Sequence, residues 1–262
     1  MAVIMKKALF FDVDGTLLDR NGHIPESTVQ ALKRTRECGN LIFINSGRIR
    51  PLARFVENFV RFDGFLCGCG TEIIVGETCI YRYEISKETV SAIREDCVHF
   101  DMDLLLEGTE GIWISPELRN EHVRHVARNV RQQGGEVPPA CRGNFPVSKF
   151  CMQRADSGRC PELEKKYGEA FHMMFERGFY ECVPRGHDKA HAIQRTLEYL
   201  NIPPEDAYAF GDGLNDLEAL RIVPHAVVMG EHAKELEPYA ELITKRLEDG
   251  GIAYALDHLR LL

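Results

Sequence analysis

Four short runs of the chain carry side chains suited to chemistry on an anion. Asp12-Val13-Asp14-Gly15-Thr16 follows a continuous apolar run, ALFF, and so falls where a first strand must end. Residues i and i+2 of a strand share a side, so Asp12 and Asp14 are expected together at the mouth of a sheet, with Gly15 allowing a sharp turn. Two carboxylates at that spacing repel unless a cation or a catalytic proton lies between them. Asn45-Ser46-Gly47-Arg48 follows a second apolar run and offers a small hydroxyl donor. Asp188-Lys189 opens a helical pattern. A cation there opposes the helix macrodipole, which points to an anionic ligand that the same helix start attracts. Gly211-Asp212-Gly213-Leu214-Asn215-Asp216 places two more carboxylates on a glycine-rich loop after the run AYAF.

Each run lies at an expected strand end or helix start, and open α/β sheets bind ligands outside the carboxyl ends of their strands. The apolar runs Lys7 to Val13, Leu41 to Asn45, Phe62 to Cys67, Ala207 to Phe210 and Ala226 to Met229 read as buried strands. Helical patterns at Pro25 to Cys38, Pro51 to Phe59 and Lys189 to Leu200, with another from Asp216, separate them. Buried strands alternating with helices imply a parallel sheet with right-handed crossovers. A hairpin is expected over Thr71 to Tyr83 around Gly76-Glu77. Beyond it the pattern changes. Helices are expected at 87–100 and 117–133, and strands at 103–107, 112–115, 148–154, 170–176 and 179–183, which suits an antiparallel α+β block. The fold class is thus α/β, a doubly wound parallel sheet with an inserted α+β domain. Residues 1–82 and 185–262 form the core, and 83–184 form the insertion.

An oxygen-rich acidic site selects magnesium over zinc or copper, and magnesium beside a lysine and a hydroxyl suits a phosphate group. Acidic residues outnumber basic ones by 40 to 32, and the net charge of −8 argues against a nucleic-acid surface. No segment approaches the ~20 apolar residues of a membrane span. The run MAVIMKKALFF lacks a small-residue cleavage site and leads straight into DVDGT, so it reads as a strand and not a signal peptide. Nine cysteines with no CxxC pair read as thiols of a reducing compartment, which suits a cytoplasmic protein.

In order and spacing, FDVDGTLL, INSGR, the lysine of GHDKAHAI and GDGLND resemble the four motifs of the haloacid dehalogenase-like phosphatases. The insertion resembles that superfamily's type-two cap, and the tail MGEHAKELEPYAELITKRLEDGGIAYAL resembles its Cof-type sugar-phosphatase branch. The resemblance implies that Asp12 attacks phosphorus and that Asp14 protonates the leaving oxygen and then activates water. Ser46 and Lys189 would hold the phosphoryl oxygens, with Gly47 in the same loop. Asn215 would help to hold the phosphate or Lys189. Magnesium would be held by the Asp12 carboxylate, the Asp14 backbone carbonyl and Asp212, with Asp216 orienting metal-bound water. Arg48 has two readings, contact with substrate and capping of the helix that follows.

The implied reaction is hydrolysis of small phosphorylated metabolites, sugar phosphates foremost. A phosphomutase of the same fold and a non-catalytic phosphometabolite-binding protein are the alternatives. Asp14 favours hydrolysis or mutase chemistry, because relatives that store the phosphoenzyme carry threonine there. Three positions depart from the pattern. Ser46 replaces the usual threonine, Ala190 replaces the glycine after the lysine, and Gly68-Cys69-Gly70 stands where an Asn-Gly pair is usual.

Overall fold

The strand Ala8–Phe11 is apolar throughout because both of its faces are covered: Leu9 and Phe11 enter one buried layer, Ala8 and Phe10 another. Such a strand shows no polar alternation, which marks a sheet sandwiched between helices. In chain order the elements are β1 (Ala8–Phe11), α1 (Glu26–Glu37), β2 (Leu41–Asn45), α2 (Arg50–Ala53), β3 (Gly64–Cys67), β4 (Glu72–Val75), β5 (Thr78–Arg82), α3 (Lys87–His99), β6 (Met102–Gly108) and β7 (Gly111–Ile114). There follow β8 (Lys149–Arg154), α4 (Pro161–Tyr167), β9 (Phe171–Glu176), β10 (Phe179–Pro184), α5 (Lys189–Leu200), β11 (Ala207–Gly211), α6 (Leu217–Ile222), β12 (His225–Val228), β13 (Leu242–Ile243) and α7 (Gly251–His258). The computed structural model describes residues 6–19, 22–115, 123–124, 128, 145–176 and 178–262. The helix expected over 117–133 lies almost wholly outside them. Among the described residues no helix is long and apolar enough to cross a membrane.

The chain divides into two units: the described residues of Met1–Arg48, Ala53–Tyr81 and Asp188–Leu262, and those of Ile49–Leu52 and Arg82–His187. The first unit holds a sheet in the order β13-β12-β11-β1-β2-β3-β4-β5. Strands from β13 to β3 are parallel, and the expected hairpin extends the sheet as an antiparallel edge through β4. Apolar residues of α1 and α7 fill the layer on one face, and those of α5 and α6 the layer on the other, so the sheet is doubly wound. Aromatic pairs in register, Phe10 on Phe43 at 5.1 Å and Phe11 on Phe210 at 4.3 Å, bind β1 to both neighbours.

The single helix expected from Pro51 to Phe59 is broken into α2 and a 3₁₀ turn, Arg54–Asn58. Ile49 and Leu52 pack with Leu105, Ile112 and Ile114 of the second unit, whereas Ala53 and Val56 pack in the core layer. The apolar residues of this segment are thus divided between two clusters, although their i, i+3, i+4, i+7 spacing is that of one helical face.

The second unit is an antiparallel sheet in the order β7-β6-β8-β10-β9. Leu104, Leu106, Phe150, Met152, Tyr180 and Cys182 on one face pack against Val90, Ile93 and Cys97 of α3 and Leu163 and Tyr167 of α4. Trp113, stacked on Phe145 at 4.0 Å, belongs to this layer. On the opposite face buried Lys149 pairs with Glu107 and Glu181. Phe150 is the keystone of the apolar layer, fully buried with ring contacts to Phe171 at 5.0 Å and Tyr167 at 6.4 Å. Phe150→Ala should lower the stability of this unit by about 3–5 kcal/mol, read as an earlier denaturant transition.

Candidate active site

Parallel register decides which loops meet. Phe11 lies beside Phe210 and Ile44, and the Asp12 amide continues the ladder by donating to the Phe210 carbonyl at 3.0 Å. The loops after β1, β2 and β11 therefore leave the sheet at one level. Asp188 caps α5 by accepting from the His191 amide at 2.8 Å, which places Lys189 in the first turn.

Lys189 is only 1% exposed, and its Nζ donates to Asp12 Oδ1 at 2.6 Å and to Asp216 Oδ1 at 2.5 Å. The other Asp216 oxygen accepts the amides of Asp212 and Gly213, each at 3.0 Å, and so clamps the loop. Thr16 donates to Asp212 Oδ1 at 2.8 Å. Asn45 donates its side-chain amide to the Lys189 carbonyl at 3.2 Å. Glycines make this crowding possible. A β-carbon on Gly15, at φ +82°, would lie 2.2 Å from Asp212 Oδ2, and one on Gly211 would lie 2.5 Å from Asp216 Cγ.

Carboxylate oxygens of Asp12, Asp212 and Asp216 lie within 4.8 Å of one another. Burial pushes Asp12 up to about 8; Asp216 and Asp212 act in the same direction, against Lys189. Burial likewise lifts Asp212 to about 6, opposed by the Thr16 hydrogen bond. Burial alone would lower the Lys189 ammonium, but Asp12 and Asp216 outweigh it and hold it above the ordinary lysine range. Three carboxylates facing one ammonium leave an excess of negative charge in little water. An all-oxygen donor set of this kind fits a hard divalent cation.

Ser46 is buried at the end of β2; its Oγ accepts the Arg48 amide at 3.2 Å, so its proton can serve another acceptor. Gly47 lies between them. Asp14 refines an expectation, because its side chain stands in a more exposed setting than that of Asp12. The chain leaves the strand at Phe11, so i, i+2 alternation no longer holds. The Asp14 carboxylate is exposed and gripped by Arg48. The Arg48 side chain reaches Asp14. Asn215 is exposed, and the Lys189 ammonium bonds Asp12 and Asp216 instead.

The Gly68-Cys69-Gly70 run takes three successive left-handed conformations, φ +59°, +54° and +84°. Its Gly68 and Cys69 amides donate to the carbonyls of Arg48 at 2.8 Å and Ser46 at 3.1 Å. A β-carbon at Gly70 would lie 2.6 Å from the Asp188 carbonyl. Asparagine tolerates the left-handed region better than most residues; here Cys69 accepts it because the backbone bonds to the neighbouring loop fix the turn. Thr16 and Asn45 carried no assigned role in the sequence reading, although both stand inside the runs that drew attention.

Removing the ammonium should strand two buried carboxylates. Lys189→Met should cost about 3–5 kcal/mol near pH 8 in chelator. The deficit should shrink as the pH falls toward about 5, because the stranded carboxylates then take up protons. Denaturant unfolding of both proteins at the two pH values measures it.

The family model of haloacid dehalogenase-like hydrolases matches residues 9–256. YkrA of Bacillus subtilis (strain 168), which carries a provisional phosphatase name, is 29% identical over 98% of this chain and 98% of its own. The HMP-PP phosphatase of Yersinia pseudotuberculosis is 27% identical, covering 97% of this chain and 95% of its own. Among solved structures, a protein of Geobacillus kaustophilus HTA426 superposes with a TM-score of 0.86 at 28% identity, over 98% of this chain and 100% of that one. The HAD subclass IIB sugar phosphatase BT4131 gives 0.82 at 26% identity, over 98% and 100%. With its four motifs in place and the family matched along nearly its whole length, the chain belongs to the haloacid dehalogenase-like hydrolases, on their Cof-type phosphatase branch.

Proposed function

We propose that this protein is a magnesium-dependent phosphatase that hydrolyses small phosphorylated metabolites, sugar phosphates foremost, in the cytoplasm through a phosphorylated Asp12. The observation that carries the reading is the buried Asp12 carboxylate, held by Lys189 and grouped with Asp212 and Asp216. Lys189 fixes one Asp12 oxygen, which sets the carboxylate plane and leaves the other oxygen in one orientation for attack. Attack forms the bond from Asp12 to phosphorus, and the bond to the leaving oxygen breaks as Asp14 supplies that oxygen with a proton. Water then attacks phosphorus, Asp14 takes its proton, and the electron pair of the broken bond returns to Asp12. The Ser46 hydroxyl and the Lys189 ammonium are the donors for the phosphoryl oxygens. Asp12, Asp212 and the Asp14 carbonyl would hold magnesium, which would offset the charge on the phosphoryl group and the carboxylates.

The named relatives act on small phosphorylated compounds, HMP-PP in one case and sugar phosphates in another. Their phosphatase names favour hydrolysis over a phosphomutase or a non-catalytic binding protein. The second unit is the candidate for substrate selection, in keeping with the cap that the sequence pattern suggests.

Phosphate release across a panel of sugar phosphates and pyrophosphorylated cofactor precursors should require magnesium. Asp12→Asn should reduce kcat on the order of 10⁴-fold or more; full activity in that variant would overturn the assignment of the nucleophile. Magnesium should also raise Tm. The raised pKa values of Asp12, about 8, and Asp212, about 6, mean that the metal-free fold is favoured by protons it loses as the pH rises through those values. Metal and protons compete for the same carboxylates. The magnesium-induced rise in Tm should therefore be larger near about pH 8.5 than near about pH 5.5, and Asp212→Asn should flatten the difference.

A further inference from the structure

The contact between Arg48 and Asp14 has a geometry that stability alone does not explain. Arg48 Nε donates to Asp14 Oδ2 and Nη2 to Oδ1, both at 2.7 Å, so the guanidinium meets the carboxylate fork to fork. The Asp14 side chain is 60% exposed and that of Arg48 31%, so solvent screens the pair and its contribution to folding is modest even with the bidentate geometry. The arginine is nevertheless well anchored. Its amide donates to Ser46 Oγ at 3.2 Å, its carbonyl accepts the Gly68 amide at 2.8 Å, and its guanidinium lies 5.5 Å from the centre of the Phe55 ring. It thus reaches from the loop after β2 to the loop after β1, across 34 residues of sequence. Asp14 by itself, at the surface before a turning glycine, would sample several rotamers.

We propose that Arg48 is the positioning residue for Asp14 in the second half of the reaction, the hydrolysis of phosphorylated Asp12. This rests on the role given to Asp14 above. Two charge-assisted hydrogen bonds fix the plane of the carboxylate and so aim its oxygens. Each oxygen keeps a lone pair for a proton from water. In the step, the oxygen of water bonds to phosphorus and one of its protons passes to Asp14. The bond from phosphorus to Asp12 breaks, its electron pair stays on Asp12, and inorganic phosphate leaves. Arg48 acts through Asp14 and touches neither phosphorus nor the leaving group.

The half-reactions separate with p-nitrophenyl phosphate, whose leaving group departs without a proton. In Arg48→Ala, steady-state kcat should fall by about 10- to 100-fold. Phosphorylated Asp12, trapped by acid quench and measured by mass spectrometry, should accumulate above the wild-type level. Added guanidinium ion should restore part of the rate, which a merely structural defect would not allow. Arg48→Lys keeps the charge and loses the fork, so it should accumulate phosphorylated Asp12 too, and it serves if the alanine variant fails to fold. Unchanged kcat in both variants would overturn the proposal. So would a raised KM without accumulation, which would make Arg48 a substrate contact. Asp14→Asn separates the two levels of inference. If it accumulates phosphorylated Asp12 and the Arg48 variants do not, positioning alone fails; if it does not accumulate it, the role of Asp14 fails as well.

Discussion

The buried ammonium of Lys189 is the interaction on which the site depends. It draws together Asp12, 177 residues away, and Asp216, 27 residues away, in a place where all three side chains are nearly devoid of solvent. Desolvating these charges costs more than an isolated pair recovers, so the arrangement holds only as a complete set. The Lys189 backbone takes part as well, since its carbonyl accepts the amide of Asn45. One residue at the start of α5 therefore fixes the loops after β1, β2 and β11 relative to one another. The strands bring those loops to one level, but the lysine sets the positions of the carboxylates within it.

The three acids are not equivalent within this set. Both oxygens of Asp216 are engaged, one by Lys189 and the other by two backbone amides, so it serves first to hold the lysine and close the loop. Asp12 and Asp212 each have one oxygen in a hydrogen bond to a side chain, Lys189 or Thr16. They keep more lone pairs open toward a cation. The glycines are part of the same economy of space. Asp212 approaches the backbone of Gly15, and Asp216 that of Gly211, more closely than any side chain would permit. The loop sequence is thus dictated by the carboxylates as much as the carboxylates are placed by the loop.

Much of this was legible in the sequence, for a definable reason. Unbroken apolar runs that end in Asp, Ser or Gly mark strands of a two-sided sheet, and the ends of such strands face one way. Asp12, Ser46 and Asp212 could therefore be assigned to one mouth, and the helical pattern that opens at Asp188-Lys189 located the lysine. Features that depend on tertiary partners were not legible. α4 and α7 are short and lack a long apolar period, and the break after α2 leaves no mark in the helical spacing of Ile49, Leu52, Ala53 and Val56. The antiparallel edge made by β4 depends on pairing that the hairpin sequence leaves open. Thr16 and Asn45 act across loops through contacts set by strand register, which no local pattern reveals.

The separation of Asp12 from Asp14 is the most instructive of these differences. Strand alternation would put both on one side, yet the turn after Phe11 sends them into opposite settings. Asp12 is 5% exposed and faces an ammonium and two other acids, whereas Asp14 stands in water against a guanidinium. The roles proposed for the two carboxylates call for that division. A carboxylate nucleophile gains from being fixed and stripped of water, because its attack then requires little reorganisation. A group that gives a proton to one oxygen and takes it from another must meet both the leaving group and water. The end of the strand at Phe11 provides the two environments two residues apart, and each carboxylate is then held by its own cation: a buried lysine that excludes solvent for the one, and a surface arginine that admits it for the other.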